Sequence, residues 1–553
     1  MSPSGKPSRG EYLRLLGILV VALAFRAILA SLPRVIRWDE PDYLWLGRNL
    51  LLGRGYTIVG VPELHYTPLF PLLAGATYLL TGDPELGSAL WYVLLGAFAV
   101  VPVYALARRI YGPQVALLSA GLVAVFPGLS SAVLYWGTMT EPLFILLVYS
   151  ALWAGAVALD GDRLWAYAAS GGLVSLAYLS RPEGIVWLAS LGALFVFAWV
   201  ARGSLWRWRV LACLGLYLGT FLLLGAPYAV YVHRYTGKWM ATGKLSITYD
   251  IGQAVLERDP VLYDKVTASL DPQSGEVLWW SNKRFEQGIV EIFLRDPRGS
   301  LVRVWRNLEQ ARGALFAPTI FPLALLAPVV LGWFRQPWTR RRFGHEGLLW
   351  FGILPVLSFL PFHIEVRFFS PAFPAMLIWV AAGLWAMGTW LAETASCWRR
   401  RRSSLEQAKR ALPARWQHGA VALLLVPVVA YLGYAHMRVT QRGMQDLSFA
   451  HKAAGLWLKA NTGPEASIMS RDLAVSLYAE RGFVVSPRAD YDTYLAYARR
   501  KGATHLLVDE RELRVLRPHL AFLLDEANPP KALEPVYTAR DARGRVIVYR
   551  IKD

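Results

Sequence analysis

Three carboxylates, Asp39, Glu40 and Asp42, follow the first apolar stretch of the chain in the segment Arg37-Trp38-Asp39-Glu40-Pro41-Asp42-Tyr43. A carboxylate held beside a hydroxyl can accept its proton as the oxygen becomes a nucleophile, which is general-base chemistry. Asp39 can also cap a helix beginning at Glu40, and early acidic residues suit that helix's dipole. The two roles are compatible at one position. Tyr43 closes the segment as an aromatic neighbour of the same cavity.

Four later segments carry partners for this chemistry. In Glu63-Leu64-His65-Tyr66-Thr67-Pro68 the proline begins a helix and sets the chain's entry angle. Glu63 and His65 are candidate metal ligands, but two such residues do not make a metal site. His65 could instead donate a hydrogen bond to phosphate, and the plainer reading is a loop histidine beside a solvated glutamate. Thr138-Met139-Thr140-Glu141-Pro142 opens another apolar run. A glutamate there is costly against lipid, so Glu141 faces a wet cavity or serves its helix dipole. Arg181-Pro182-Glu183-Gly184 is a tight turn whose arginine and glutamate pair with each other or line a cavity. His363-Ile364-Glu365-Val366-Arg367 adds a guanidinium fork that matches phosphate oxygens. An interfacial arginine reaching lipid headgroups would look the same in sequence. Lys238 and Lys244 are weaker phosphate ligands of the same kind, and Tyr235 and Trp239 could flank a sugar or a lipid.

The elements that position these residues are membrane spans. The 553 residues are 55% hydrophobic, with a mean hydropathy of +0.34. A span needs about 20 apolar residues. Eleven runs qualify: 12–33, 86–107, 113–134, 141–159, 164–180, 183–201, 209–232, 315–334, 346–362, 371–393 and 418–436. The stretch 68–81 is shorter and reads as an outer helix partly sunk in the interface. The net charge of +19 gathers in short clusters between spans: Lys6, Arg9 and Arg14; Arg108 and Arg109; Arg163; Arg202, Arg207 and Arg209; Arg335 and Arg340 to Arg342; Arg399 to Arg402. All fall on one side, which is then cytoplasmic. The N-terminus is therefore expected inside and the C-terminus outside. No basic face or recognition motif accompanies the charge, so nucleic acid is excluded as a partner.

The expected organisation is a transmembrane domain over 1–436, with outer loops 34–85 and 233–314, and an extracytoplasmic α/β domain over 437–553. In that tail, helices at 449–461, 473–481, 491–501 and 511–526 alternate with strands at 466–470, 483–486 and 504–509, and strands 533–539 and 545–551 follow. The tail has no glycine-rich phosphate loop and reads as a cap or an acceptor-docking module. Segment 399–415 reads as a basic interfacial helix near anionic lipid. Cys213 and Cys397 suggest neither a disulfide framework nor a metal cluster. The first apolar stretch lacks a convincing cleavage site and reads as a retained span.

The segments DEPDYLWLGRNLLLGRGYT, HYTPLFPLLAG, MTEPLFILL, SRPEG and HIEVRFFSPAFP occur in an order that resembles the family 39-type GT-C glycosyltransferases. That group includes the protein O-mannosyltransferases and the aminoarabinose transferases. The likeness covers most of 10–395, and AAGLWLKANTG, AVSLYAERG and GATHLLVDE are similar to outer domains of bacterial members. The resemblance implies a GT-C membrane fold in a prokaryotic plasma membrane. It also implies inverting transfer from a polyprenyl-phospho-sugar to a glycan, lipid or protein hydroxyl. It carries the acidic pair onto Asp39 and Glu40, with Asp39 as base, the second acidic position onto Glu141, and the phosphate arginine onto Arg367. His65 and Pro68 match the proline-rich first-loop motif, but Tyr66 and Thr67 stand where aminoarabinose transferases carry a lysine. No cofactor is required on this reading, and no metal site is assigned. A transporter or lipid flippase, and a non-catalytic cell-envelope assembly protein, are the competing readings.

Overall fold

The structure is a computed structural model. It describes residues 7–552 except 138, 162, 204–207, 280–288, 335–336 and 401–413. Lys6, Thr138, Arg207, Arg335, Arg401 and Arg402, and most of the expected interfacial helix at 399–415, lie outside the described residues.

The first long helix, α1 (Arg9–Ala30), begins with Ser8 and Glu11 in a reciprocal capping box. Two helices of the first loop follow, α2 (Glu40–Leu51) and α3 (Leu69–Thr81), joined through a short β1–β2 hairpin, Thr57–Ile58 and Val61–Pro62. Next come α4 (Pro84–Phe98), α5 (Val100–Tyr111), α6 (Pro113–Val125) and α7 (Ser131–Trp136). Four helices continue the bundle: α8 (Glu141–Gly161), α9 (Leu164–Ser180), α10 (Gly184–Ala201) and α11 (Trp208–Thr236). The second large loop holds α12 (Leu245–Glu257), α13 (Pro260–Ala268) and α14 (Ile289–Arg295) and leads into α15 (Pro297–Leu315). The bundle closes with α16 (Leu326–Phe334), α17 (Arg340–Ile353), α18 (Phe373–Arg400) and a last helix, Ala414–Gln445.

Each of the eleven apolar runs falls on helix, but the runs are not eleven uninterrupted spans. Among the described residues, 7 helices are long and apolar enough to cross a membrane. Of the other four runs, three are shortened or broken where proline interferes with the helix ladder. Run 113–134 stops at Val125, before Pro127, and resumes at Ser131. Run 164–180 is one unbroken helix of 17 residues, ending at Ser180 as expected, ahead of Pro182. Pro318 and Pro322 precede the short α16, and Pro355 lies where α17 tightens into a 3-10 turn over Leu354–Phe359. The break after α6 has a built-in stabiliser. Arg26 of α1 is buried and donates to the carbonyls of Ala124 at 2.7 Å and Leu129 at 3.1 Å, satisfying carbonyls that the helix end leaves open.

The first loop is held tightly against itself. A β-carbon on Gly47 of α2 would meet the Pro71 carbonyl oxygen at 1.8 Å, and one on Gly75 of α3 would meet the Gly47 backbone at 2.4 Å. The two helices therefore touch backbone to backbone, which fixes the direction in which α2 presents its acidic first turn.

The tail matches the expected alternation of helices and strands. Its five strands are β3 (Ser467–Ser470), β4 (Gly482–Val485), β5 (His505–Asp509), β6 (Leu533–Asp541) and β7 (Gly544–Ile551), in the order β4-β3-β5-β7-β6. The first three are parallel, and β7 runs antiparallel to both β5 and β6. The expected helix at 511–526 is instead a short helix, Glu510–Val515, and a 3-10 turn, Pro518–Leu524, with Pro518 at the break. The expected boundary at 436 falls inside the helix Ala414–Gln445, which runs on to the tail. One buried apolar cluster extends from the bundle into the tail, taking in Leu473, Tyr478 and Phe483.

Candidate active site

Two strained turns bring the acidic helix starts together. Trp38, just before Asp39, has φ 56, and Met139, shortly before Glu141, has φ 51; both are left-handed conformations that non-glycine residues rarely adopt. Such strain collects at functional sites when the surroundings enforce it. Here the Glu40 amide donates to the Gly137 carbonyl at 3.1 Å, so the two turns lock to each other.

Asp39 caps α2 by backbone position, but its side chain makes no capping hydrogen bond. The carboxylate, 22% exposed, instead accepts from Arg367 Nη1 at 3.3 Å, from a residue 328 positions away in the chain. Arg367 also pairs through Nε with Glu365 Oε2 at 2.6 Å, and Glu365 contacts His363 Nε2 at 3.2 Å. Against the upward push of burial, Arg367 and then His363 hold Glu365 down at about 2.

A second run of charges adjoins the first. Glu141, buried at the start of α8, pairs with Arg181 Nη1 at 2.6 Å. Arg181 reaches Glu183 at 3.5 Å, and Glu183 pairs with Lys244 Nζ at 2.6 Å. Against burial, Lys244 and Arg181 hold Glu183 down at about 2. Tyr43 ties the two runs together: its phenol is raised well above its usual range by burial and then Asp39, in the combined field of Arg181, Arg367 and Glu141. The site thus gathers three cations, Arg367, Arg181 and Lys244, and four carboxylates, Asp39, Glu141, Glu183 and Glu365. Each of these residues lies at a helix end or in a connecting segment, not at mid-bundle.

The remaining sequence candidates take other positions. Glu40, placed beside Asp39 in the sequence, turns away from it and is buried against Arg34 at 2.5 Å, with Ser88 also donating to it. Burial raises its proton affinity against the pull of Arg34. Asp42 is buried and accepts from the Tyr66 phenol at 3.2 Å. Burial, followed by the charges of Asp39 and Glu63, raises the proton affinity of Asp42 well above that of an ordinary aspartate. Glu63 is buried rather than solvated and accepts the backbone amides of His65 at 2.5 Å and Tyr66 at 3.1 Å, which shapes the loop. His65 is buried, and desolvation, followed by Lys244, pushes it well below its usual range, so the ring is neutral. Lys238 sits in the exposed turn after α11, beside an exposed Trp239 that stacks on His233. Among the described residues, no three His, Cys, Asp or Glu side chains form a candidate metal cluster.

The sequence reading missed three contributors: Arg34, Tyr263 and Arg471. Arg34 lies close enough to the acidic segment to have been weighed as a partner for Glu40. Tyr263 of α13, whose phenol feels the charge of Asp39, and Arg471 of the tail, 5.6 Å from the Tyr263 ring centroid, carry no local signal, because only the packing of the second loop on the tail brings these two together.

Residues 65–231 match the family model described as dolichyl-phosphate-mannose-protein mannosyltransferase, a stretch that includes Glu141, Arg181 and Glu183 but stops short of Asp39 and Arg367. No curated protein matches the chain. Among solved structures, the archaeal oligosaccharyltransferase AglB from Archaeoglobus fulgidus, in complex with an inhibitory peptide and a dolichol-phosphate, is similar at 14% identity and a TM-score of 0.55, covering 98% of this chain and 74% of that one. ArnT from Cupriavidus metallidurans is similar in its apo state at 14% identity, a TM-score of 0.55 and 97% coverage of both chains. Its undecaprenyl phosphate-bound form matches at 14% identity, a TM-score of 0.51 and 98% coverage of both chains. The chain is therefore a multi-pass membrane protein with the GT-C glycosyltransferase fold that AglB and ArnT share.

Proposed function

We propose that this protein transfers a sugar from a polyprenyl-phosphate carrier to an acceptor hydroxyl, with inversion at the anomeric carbon. The observation that carries this reading is the contact between the partly exposed Asp39 and Arg367, a base and a phosphate ligand 3.3 Å apart. In the proposed step Asp39 accepts the hydroxyl proton as the acceptor oxygen bonds to the anomeric carbon. The bond from that carbon to the carrier phosphate breaks, and its electron pair leaves with the phosphate. A single displacement of this kind inverts the centre. Arg367 meets the charge that develops on the leaving phosphate, and Arg181 and Lys244 add positive potential behind it. Each cation already has a carboxylate partner, so the donor phosphate competes with Asp39 and Glu365 for Arg367 and frees the base as it binds. Glycan, lipid and protein hydroxyls all fit this chemistry as acceptors.

On this reading the site faces the outer side of a prokaryotic plasma membrane, with the N-terminus cytoplasmic and the tail outside. The positive-inside pattern of the loops supports that orientation. Gathering of the charges at helix ends favours this reading over a transporter, which would place its ion sites near the bilayer midplane.

Transfer from a panel of polyprenyl-phospho-sugars by purified wild type and Asp39→Asn tests the proposal. The variant is expected to bind donor and lose about 10²–10⁴-fold in kcat, as removal of a general base does. Equal turnover by both proteins removes Asp39 from the role. Because side-chain cations supply the positive charge, wild-type turnover is expected to survive EDTA, and loss restored by added divalent metal would overturn that part of the mechanism.

A further inference from the structure

The second large loop is held in two places. The tail clasps α13, where Arg471, Arg488 and Arg517 form a latch on the buried Asp264 at 3.0, 3.4 and 2.9 Å. Further on, α15 packs by its polar face. Ser300, Arg303 and Asn307, three and four positions apart, are buried. Arg303 donates to the Tyr249 carbonyl of α12 at 2.9 Å, and its guanidinium lies 3.5 Å from the centroid of that ring. Asn307 donates to the carbonyls of Leu360 at 2.7 Å and Phe362 at 3.1 Å, in the segment that runs on to Arg367.

The outward face of α15 is apolar. Leu301, Trp305 and Leu308 recur at helical spacing and form one stripe, 60, 63 and 45% exposed. In water the apolar stripe of a helix faces the core and the polar residues face out. Here the order is reversed, which fits surroundings that are themselves apolar. Three observations identify those surroundings as lipid. The exposed apolar surface continues along the chain, through Leu323 into Val330, Leu331 and Phe334 of α16, in a run long enough to read as a span. α15 also lies beside the 3-10 turn Val366–Ala372, where a membrane-length helix begins. Finally, exposed arginines bracket the stripe, with Arg298 three positions before Leu301 and Arg312 four positions after Leu308. An indole settles at the level of lipid headgroups, and an arginine keeps its stem in apolar surroundings while its head reaches a phosphate.

We propose that α15 lies along the phospholipid leaflet on the active-site side, with Leu301, Trp305 and Leu308 among the acyl chains and Arg298 and Arg312 on anionic headgroups. The helix then ties the headgroup level to the segment that Asn307 holds ahead of Arg367. Contact with the leaflet needs no donor and holds whether or not the site transfers sugar.

The test places a bimane fluorophore on the full chain at single introduced cysteines: Leu301→Cys, Trp305→Cys, Leu308→Cys and, as the control, Gln310→Cys. Gln310 is exposed and points away from the stripe, about half a turn round the helix. Wild type labelled in parallel corrects for Cys213 and Cys397. All four positions are exposed, so a wild-type melting temperature is expected of each variant and checks that it folds. The proteins are reconstituted in vesicles of phosphatidylcholine, or of phosphatidylcholine and phosphatidylglycerol in equal parts. A doxyl group on the acyl chains quenches from within the bilayer, and iodide quenches from the water. The three stripe labels are expected about 5–10 Å into the headgroup–acyl boundary, quenched by doxyl lipid and shielded from iodide, with the reverse at Gln310. Phosphatidylglycerol should strengthen doxyl quenching of the stripe, and Arg298→Gln/Arg312→Gln should abolish that gain. Iodide quenching at the stripe equal to that at Gln310 would overturn the proposal, because the face would then meet water. Protection from both quenchers would overturn it in favour of a second copy of the chain. Loss of doxyl quenching on adding polyprenyl phosphate would overturn it in favour of the carrier's own chain. Equal quenching in the two lipid mixtures would overturn the headgroup contact.

Discussion

Asp39 and Asp42 sit three positions apart on α2, close enough to share a face, yet they meet different surroundings. Asp39 is partly exposed and touches Arg367, whereas Asp42 is buried against Tyr66. Asp42 is shut away from an incoming acceptor and already engaged by the Tyr66 phenol, so Asp42→Asn is expected to keep turnover within about tenfold of wild type, far less than the loss of a general base. Side-by-side single-turnover transfer by Asp39→Asn and Asp42→Asn measures the difference, and equal losses would contradict the division of roles. Glu40 separates from both. Glu40→Gln leaves Arg34 charged and buried, and breaking a buried pair costs about 3–5 kcal/mol. The expected outcome is a lower melting temperature with an unchanged KM for donor in the protein that remains folded. A stable but inactive variant would return Glu40 to the chemistry. The sequence shows all three acids, but their separate environments are invisible in it, because neighbours in sequence point in different directions around a helix.

The elements explain why the site can be strained and still hold its shape. Backbone contact between α2 and α3 at Gly47 and Gly75 leaves α2 no room to shift, and the turns at Trp38 and Met139 are braced by the Glu40-to-Gly137 hydrogen bond. In the tail, His451 of the helix Phe449–Asn461 bridges two strand ends, contacting Asp472 after β3 at 3.0 Å and Asp509 of β5 at 2.8 Å. Against burial, the two carboxylates raise the imidazole from 6.5 to about 10. A group whose proton is held more tightly in the folded state stabilises it fully below its unfolded value, and that contribution fades as pH climbs to the folded one. Thermal stability is therefore expected to fall between about pH 6.5 and 10, and His451→Gln should flatten this part of the profile. An unchanged slope in the variant would assign the pH response to other groups.

At the scale of the whole molecule, tail and bundle share one buried apolar cluster, so the tail is not a loosely tethered accessory. A chain ending at Gln445 would expose the bundle residues that Tyr478 and Phe483 cover and would release α13 from its arginine latch. It is expected to aggregate or to lose the cooperative melting transition of the full chain, as size-exclusion chromatography and calorimetry would show. A monodisperse, fully active truncation would contradict the shared core. The sequence by itself determined the membrane class, the positions of the apolar helices and the alternation of helices and strands in the tail. Run length, periodicity and helix-breaking prolines act over a few neighbouring residues, so they can be read locally. It also displayed Asp39, Glu141, Arg181 and Arg367 as candidates for chemistry, each beside a structural alternative: a cap, a helix dipole, an ion pair or a headgroup contact. Tertiary structure alone decided which charges meet: Arg367 with Asp39, Arg34 with Glu40, Lys244 with Glu183, and the tail's Arg471 with α13. Those pairings depend on how helices and loops far apart in the chain pack, and a buried charge takes whichever partner that packing supplies.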